Sequence, residues 1–446
     1  MAYGRGVTLP AALALFGWIP FALVLFRFLP ARRAVIASFV IGWLFLPNAS
    51  YPILGLPDYT KMFAVCLAPL FGAIVFDSTR VLTLRPRMVD VAMIVWCLCP
   101  FASSMSNDLG AYDGLSAVFE QSVTWGVPYA IGRMYFGDLV ALSELARGML
   151  IGGLVYVPLC LIEVFIGPRL HALVYGDQHY ALWKAWRFSG WRPAVFMSSG
   201  LAVALWMTAT TLTGAWLWLT GTLSRVAGIR AQFLLAGLLV ATLLTRSVNA
   251  WTLLLLGSVV LGCVLQHRLT LLKPLPVVCL LAMAPTYVLA RATGLWSGVQ
   301  LVPPIAAVLN LDRAQSVEYR LISERAIVDK AQQQPLLGWG RWGRAAIEAE
   351  PGQVGTIRDS LWIIAFGDSG LVGLIGVMTV LVLPPAWFWF RYPLERWTEP
   401  AVASAAVLAI VVVLYTIDSC FNAMVNPIFM LAAGGLVDLG RGPDAA

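Results

Sequence analysis

Thirteen apolar runs partition this chain, and they leave it few folds to choose from. They lie near residues 9–29, 34–54, 61–77, 88–105, 115–133, 139–166, 194–221, 230–246, 249–266, 272–291, 359–390, 401–417 and 420–438. A helix needs roughly 20 residues to cross a bilayer, with a usual range of about 17 to 25. Backbone in hydrocarbon must satisfy its own polar groups, and a helix does so within one segment. The sequence therefore predicts an all-α polytopic membrane protein of about 12–13 transmembrane helices with one large external loop that contains short helices. Only 12% of the residues are charged, against about 25% in soluble domains, and the deficit is sustained over the whole length. The bundle is expected in two parts, 1–291 and 359–446, separated by an external loop subdomain at 292–358. No small-residue cleavage site follows the first run, so it is expected to stay as an anchor.

The links between runs carry a sidedness signal. Arg27, Arg32, Arg33, Arg80, Arg85, Arg87, Arg133, Arg225, Arg230, Arg268, Lys273, Arg391 and Arg396 fall on one side if the spans alternate. Clustered Arg and Lys mark the cytoplasmic side. The other side then holds 48–60, 106–113, 167–193, the 246–249 turn and 292–358, and is external. The N-terminus is expected outside and the C-terminus inside. These loops account for the net charge of +7. Nucleic-acid binding has no other support, for there is no basic aromatic platform and no zinc spacing. The seven cysteines all lie in apolar runs. Cys97 and Cys99 have no second pair and no nearby His, so packing explains them better than a disulfide or a metal.

The stretch 292–358 is the long polar interruption, with seven Arg or Lys and six Asp or Glu. Within it, residues 313–334 read as an amphipathic helix, with Val317, Leu321 and Val328 on one face and Pro335 as its stop. The external side gathers arginines near predicted helix ends: Arg192, Arg246, Arg320, Arg325, Arg341, Arg344 and Arg358. Guanidinium groups are planar, always charged and matched to phosphate oxygens. Arginines converging just above a bilayer suit a lipid diphosphate and the charge that develops as it leaves. Bland readings stand beside this one. Arg320 has Glu324 at i+4 and could form an ordinary surface pair. Arg192 could be an interfacial anchor. Arg246 has no acidic neighbour in its turn, which favours an anion.

Asp359 opens a span at the external edge. It could serve as general base for an acceptor hydroxyl or simply as a helix N-cap. Asp368, in the segment GDSG, could mark a polar helix break. His171 and His179 share a loop with Asp177, but their i, i+8 spacing is not a metal-site pattern. No metal or other cofactor is expected. There is no nucleophile elbow, phosphate-binding loop or nucleotide-sugar motif.

Two stretches, YRLISERAIVDKAQQQPLLGWGRWGR (319–344) and DSLWIIAFGDSGLVGLIGV (359–377), together resemble the O-antigen ligase and O-antigen polymerase superfamily. WRPAVFMSSGLAVAL (191–205) and LLTRSVNAWTLLLLG (243–257) are similar to two further family segments, in the family's order. The likeness covers roughly the C-terminal 60% of the chain. It implies a membrane glycosyltransferase of the GT-C type at the external face of the bacterial cytoplasmic membrane. The donor would be a glycan on undecaprenyl pyrophosphate, and the acceptor a hydroxyl of a glycan or glycolipid. Transfer would be inverting and metal-independent. Arg320, Arg192 and, less closely, Arg246 take the places of the family's arginines. With Arg325 they form the expected pyrophosphate site, and Asp359 with Arg320 the expected catalytic pair. The ligases carry a His where this chain has Asp359, which leaves polymerisation or another transfer open. The competing expectations are a transporter or flippase for lipid-linked glycans, and a non-catalytic assembly subunit.

Overall fold

The protein is described by a computed structural model covering residues 8–266, 273–308, 311–347 and 356–439. Every apolar run carries helix. The first seven runs hold α1 (Leu9–Phe28), α2 (Ala31–Phe45), α3 (Lys61–Phe76), α4 (Val91–Ser106), α5 (Ala111–Gln121) with α6 (Val127–Tyr135), α7 (Leu139–Ile166) and α8 (Gly200–Leu219). Next come α9 (Ala231–Leu244), α10 (Val248–Leu265) and α11 (Pro274–Ala292). The polar stretch supplies α12 (Leu311–Ala331), and the C-terminal runs hold α13 (Leu361–Arg391), α14 (Pro400–Ser419) and α15 (Pro427–Asp438). Among the described residues, eight helices are long and apolar enough to cross a membrane by length and composition. The protein is an all-α polytopic membrane protein. Arg268 and the tail after residue 439 lie outside the described residues.

Several runs are longer than their helices, and the local sequence gives the reason. α2 stops at Phe45, just ahead of Leu46–Pro47, because the residue before a proline is driven out of the α region. A short antiparallel pair, Ser50–Ile53 with Leu56–Thr60, follows. α8 begins only at Gly200, capped by the Ser199 hydroxyl. The chain at 421–426 is not helical. There the Asn426 side chain caps α15, and Pro427 takes the first helical position, where its missing N–H goes unneeded. At about 1.5 Å per residue, the twelve residues of α15 span only about 18 Å. Between α5 and α6 the backbone makes a single π turn, Ser122–Gly126.

The core centres on α14, which packs against α7, α8, α13 and α15. α8 and α14 are almost wholly buried, whereas α1 and α11 lie at the periphery. The links sort to two ends of the bundle. At one end Arg32 pairs with Asp138, Arg133 with Asp90, and Arg80 donates to the Met134 carbonyl at 3.1 Å. At the other, Asn48 donates to the Phe196 carbonyl, Asn107 to Gly338 and Arg192 to Arg246.

The polar stretch does not stand off from the bundle. α12 buries Ala314, Leu321, Glu324, Val328 and Ala331, a single stripe at helical spacing. Leu321 and Val328 are as the periodicity predicts; Val317 is only half-buried. The helix ends at Ala331, short of residue 334.

Residues 335–340 then insert into a break in α13. Gly370 has φ 61° and ψ −157° inside that helix, a region open essentially to glycine alone. Leu371 N–H donates to the Pro335 carbonyl at 2.7 Å, and Val372 N–H to Leu336 at 3.3 Å. Trp339 and Gly340 N–H groups return the bonds to the Gly367 and Asp368 carbonyls at 2.9 and 3.0 Å. The segments PLLGWG and GDSG are thus two halves of one motif. A Cβ on Gly370 would stand 2.3 Å from the Leu336 carbonyl carbon, and one on Gly338 would stand 2.6 Å from Gly370 N.

Candidate functional site

Arg320 sits where three elements meet. It projects from α12, its Nη2 lies 3.3 Å from Asp359 Oδ2, and its Nη1 donates to the Phe421 carbonyl at 3.0 Å. Asp359 precedes α13, and Phe421 lies in the turn after α14. Both members of the pair are open to solvent, with 34% and 44% of their side chains exposed. Asp359 does not cap α13; the cap position belongs to Ser360.

The expected Arg320–Glu324 surface pair does not form. Glu324 points the other way, into a buried cluster. Its Oε2 takes Arg291 Nε at 3.1 Å and the Tyr287 hydroxyl at 3.0 Å, and its Oε1 takes the Ser360 hydroxyl at 2.9 Å. Burial pushes the Glu324 carboxyl above its usual range, despite the Arg291 guanidinium against it. The cluster joins α11, α12 and the start of α13. Glu324 lies one helical turn from Arg320 and Ser360 is next to Asp359, so it fixes the base on which that pair stands.

Arg325 is not part of this group. It pairs with Asp329 one turn on at 3.0 Å, and both side chains are half-exposed. Five residues from Arg320 on a helix is a rotation of about 140°, so the two arginines face different ways.

Arg192 and Arg246 do come together, as braces between two loops. Arg192 is buried; its Nε donates to the Thr245 carbonyl at 3.2 Å and its Nη2 to the Arg246 carbonyl at 2.8 Å. These are carbonyls at the C-terminal end of α9, which a helix leaves without partners. Arg246 itself ends that helix with φ 51°. Its Nη1 donates to the Arg187 carbonyl at 3.2 Å and to that of Phe188, which holds the tight hairpin at 186–191. Its Nε is buried without a partner among the described residues.

Arg341, Arg344 and Arg358 latch the returning loop onto the bundle. Arg344 pairs with Asp113 at 2.7 Å, Arg341 with Glu120 at 3.3 Å, and Arg358 with Asp368. Burial alone would raise the Asp113 carboxyl, but the hydrogen bonds from Arg344 and Ser104 and the Arg344 charge together bring it below its usual range.

Asp418 belongs to the site and was not anticipated. It is 1% exposed, at the end of α14. Its Oδ1 accepts from Asn422 at 2.8 Å and from Asn249, while Oδ2 is buried and has no partner among the described residues. The Asp418 carbonyl accepts the N–H groups of Phe421 and Asn422 at 2.9 and 2.8 Å. That turn presents the Phe421 carbonyl to Arg320. Asn249 lies three residues beyond Arg246, so Asp418 ties the arginine brace to the Arg320–Asp359 pair. A sequence signal existed, because an acid at the edge of an apolar run is a functional flag. It fell in the gap between the runs 401–417 and 420–438.

The rings of His171 and His179 are in tilted contact, with centroids 4.0 Å apart. His171 Nε2 accepts the Asn48 N–H at 3.1 Å, and Nδ1 lies 2.7 Å from the Asp177 carbonyl. Because Nε2 accepts, it carries no proton, and burial lowers the ring's pKa in the same sense; the ring props the 167–199 loop. Among the described residues no group of three or more His, Cys, Asp or Glu is placed to hold a metal ion. The seven cysteines are all free thiols. No protein-family model matches the chain, and no curated protein matches it.

Proposed function

We propose that this protein is a membrane glycosyltransferase of the O-antigen ligase and polymerase type, with GT-C-like architecture. It acts at the external face of the bacterial cytoplasmic membrane on a glycan carried by undecaprenyl pyrophosphate. The observation that carries this reading is the solvent-open Arg320–Asp359 pair, set at the junction of three elements and backed by the Arg192–Arg246 brace. An arginine and a carboxylate side by side supply a ligand for pyrophosphate and an acceptor for a hydroxyl proton.

In this mechanism the donor pyrophosphate draws the Arg320 guanidinium from Asp359. The freed carboxylate then takes the proton of the acceptor hydroxyl. The hydroxyl oxygen bonds to the anomeric carbon from the face opposite the pyrophosphate, which inverts that centre. The carbon–oxygen bond to pyrophosphate breaks, and its electron pair leaves on undecaprenyl pyrophosphate. Arg246, with its unpartnered Nε, is the second candidate ligand for the charge on the leaving group. Arg192 acts by holding Arg246, since the donors described above already meet carbonyls. Arg325 has no role in this reading.

The test is transfer by purified protein from a synthetic undecaprenyl-pyrophosphate oligosaccharide. New glycan and released undecaprenyl pyrophosphate are expected from the wild type. Arg320→Ala is expected to lower kcat by about 10²–10³, as removal of one preorganised donor does, and Asp359→Asn to fall with it. Wild-type turnover by a correctly inserted Arg320→Ala protein would refute the assignment. No transfer by the wild type, with bulk movement of the donor across vesicles, would make it a flippase instead.

A further inference from the structure

A cavity of about 190 Å³ lies between α4, the π turn, the loop and the start of α13. Leu361 and Ala423 line it, two residues beyond Asp359 and Phe421 respectively. Its walls combine indole and aliphatic faces with a polar group around Glu120, Gln121 and Arg341. Trp96 and Trp125 meet edge-to-face there, with centroids 5.7 Å apart.

Two buried polar atoms of lining residues have no partner among the described residues. One is an acceptor, Glu120 Oε2, and the other a donor, Trp96 Nε1. The rest of the Glu120 carboxylate is fixed, because Oε1 meets Arg341 Nη2 at 3.3 Å and Arg341 Nη1 also meets Gln121 Oε1 at 3.1 Å. Buried polar groups in folded proteins almost always find a partner, and these two call for a group that both donates and accepts. A hydroxyl both donates and accepts, and answers both atoms. A phosphate answers neither the carboxylate nor its charge. At ~30 Å³ per water the volume holds about six waters, which suits one sugar ring and excludes an isoprenoid chain. Indole faces beside a carboxylate and an amide suit such a ring, apolar on its faces and hydroxylated at its edge. The π turn contributes Thr124 and Trp125 to the wall, and π turns of this kind recur at functional sites.

We propose that this cavity is the acceptor subsite, which binds a single hydroxylated pyranose ring and presents it to Asp359. The proposal rests on the transferase reading for its role, and on the cavity alone for its ligand. Asp359 then stands between two compartments, with Arg320 and Arg246 on the donor side and Glu120 on the acceptor side.

Two measurements separate these supports. The first is saturation-transfer NMR on the full-length protein in detergent, with glucose, galactose, mannose and N-acetylglucosamine as probes. At least one is expected to receive saturation. Glu120→Gln and Trp96→Phe are expected to weaken binding about tenfold, the effect of losing a hydrogen bond to a buried group. Ala423→Leu, which fills the cavity and removes no polar contact, is expected to abolish it. Saturation that is absent for all four sugars, or unchanged in Ala423→Leu, overturns the proposal. The second is the transfer assay, where Ala423→Leu and Glu120→Gln should raise the acceptor KM and leave the donor KM unaltered. A raised donor KM with unchanged acceptor KM also overturns it. If sugars bind as expected but the wild type transfers nothing, the transferase reading falls and the sugar site stands.

Discussion

At the scale of single residues, spacing proposes partners that distance then decides. Glu324 follows Arg320 by one helical turn, and i, i+4 spacing alone pairs them. The pairing fails because three groups from other elements, Tyr287, Arg291 and Ser360, claim the carboxylate. No local pattern announces partners more than thirty residues away. Arg320 was legible as a candidate phosphate ligand by residue type, and its distance to Asp359 needed the fold. Asp418 was missed for a different reason: it falls in the gap between two apolar runs, and Asn249, which shares its Oδ1 with Asn422, lies far away in the sequence. The Glu324 cluster makes a firm prediction. Glu324→Ala leaves Arg291 buried without its counter-charge, and loss of one partner of such a pair costs about 3–5 kcal/mol. Glu324→Gln keeps hydrogen bonds to the same neighbours and should be milder. Chemical unfolding in detergent, followed by circular dichroism, reads both; an Ala variant within about 1 kcal/mol of wild type would show that the cluster is not under this strain.

Elements were the most legible level. Apolar run length located every helix of the bundle, because hydrocarbon permits little else. The ends were read less well, since an apolar residue in a loop at the bundle's end looks like one in a span; 46–60 and 194–199 are such cases. The sequence marked GDSG as a break but could not say what filled it. A broken helix leaves N–H and carbonyl groups unsatisfied, and 335–340 satisfies four of them from another element. That dependence is testable at Gly370. An alanine there must adopt φ 61° and press its Cβ against the Leu336 backbone. Strain of this kind costs on the order of 1–3 kcal/mol before any clash is counted. Gly370→Ala should therefore expel 335–340, and limited proteolysis should cut near Arg341 and Arg344 well before it cuts wild type. A digestion pattern identical to wild type would mean that the insert is held by the arginine latches and not by the break.

For the whole molecule, the sidedness of the loops decides whether the proposed chemistry is possible. Arg320, Asp359, Asp418, Arg192 and Arg246 gather at one end of the bundle, and the ion pairs Arg32–Asp138 and Arg133–Asp90 at the other. The alternation read from Arg and Lys alone puts the same loops together, because each helix that crosses forces the next link to the opposite end. An undecaprenyl-linked glycan is usable only if the Arg320 end faces out of the cytoplasm. Leu295 at that end is 81% exposed and Leu82 at the other is 84% exposed, so each can carry a cysteine without disturbing the core. In a background with the seven native cysteines replaced, Leu295→Cys should react with a membrane-impermeant maleimide in intact spheroplasts. Leu82→Cys should react only after the membrane is opened. The reverse pattern would place Arg320 and Asp359 in the cytoplasm, where they would have to serve a different donor. It would overturn the envelope reading while leaving the arginine–carboxylate site itself in place.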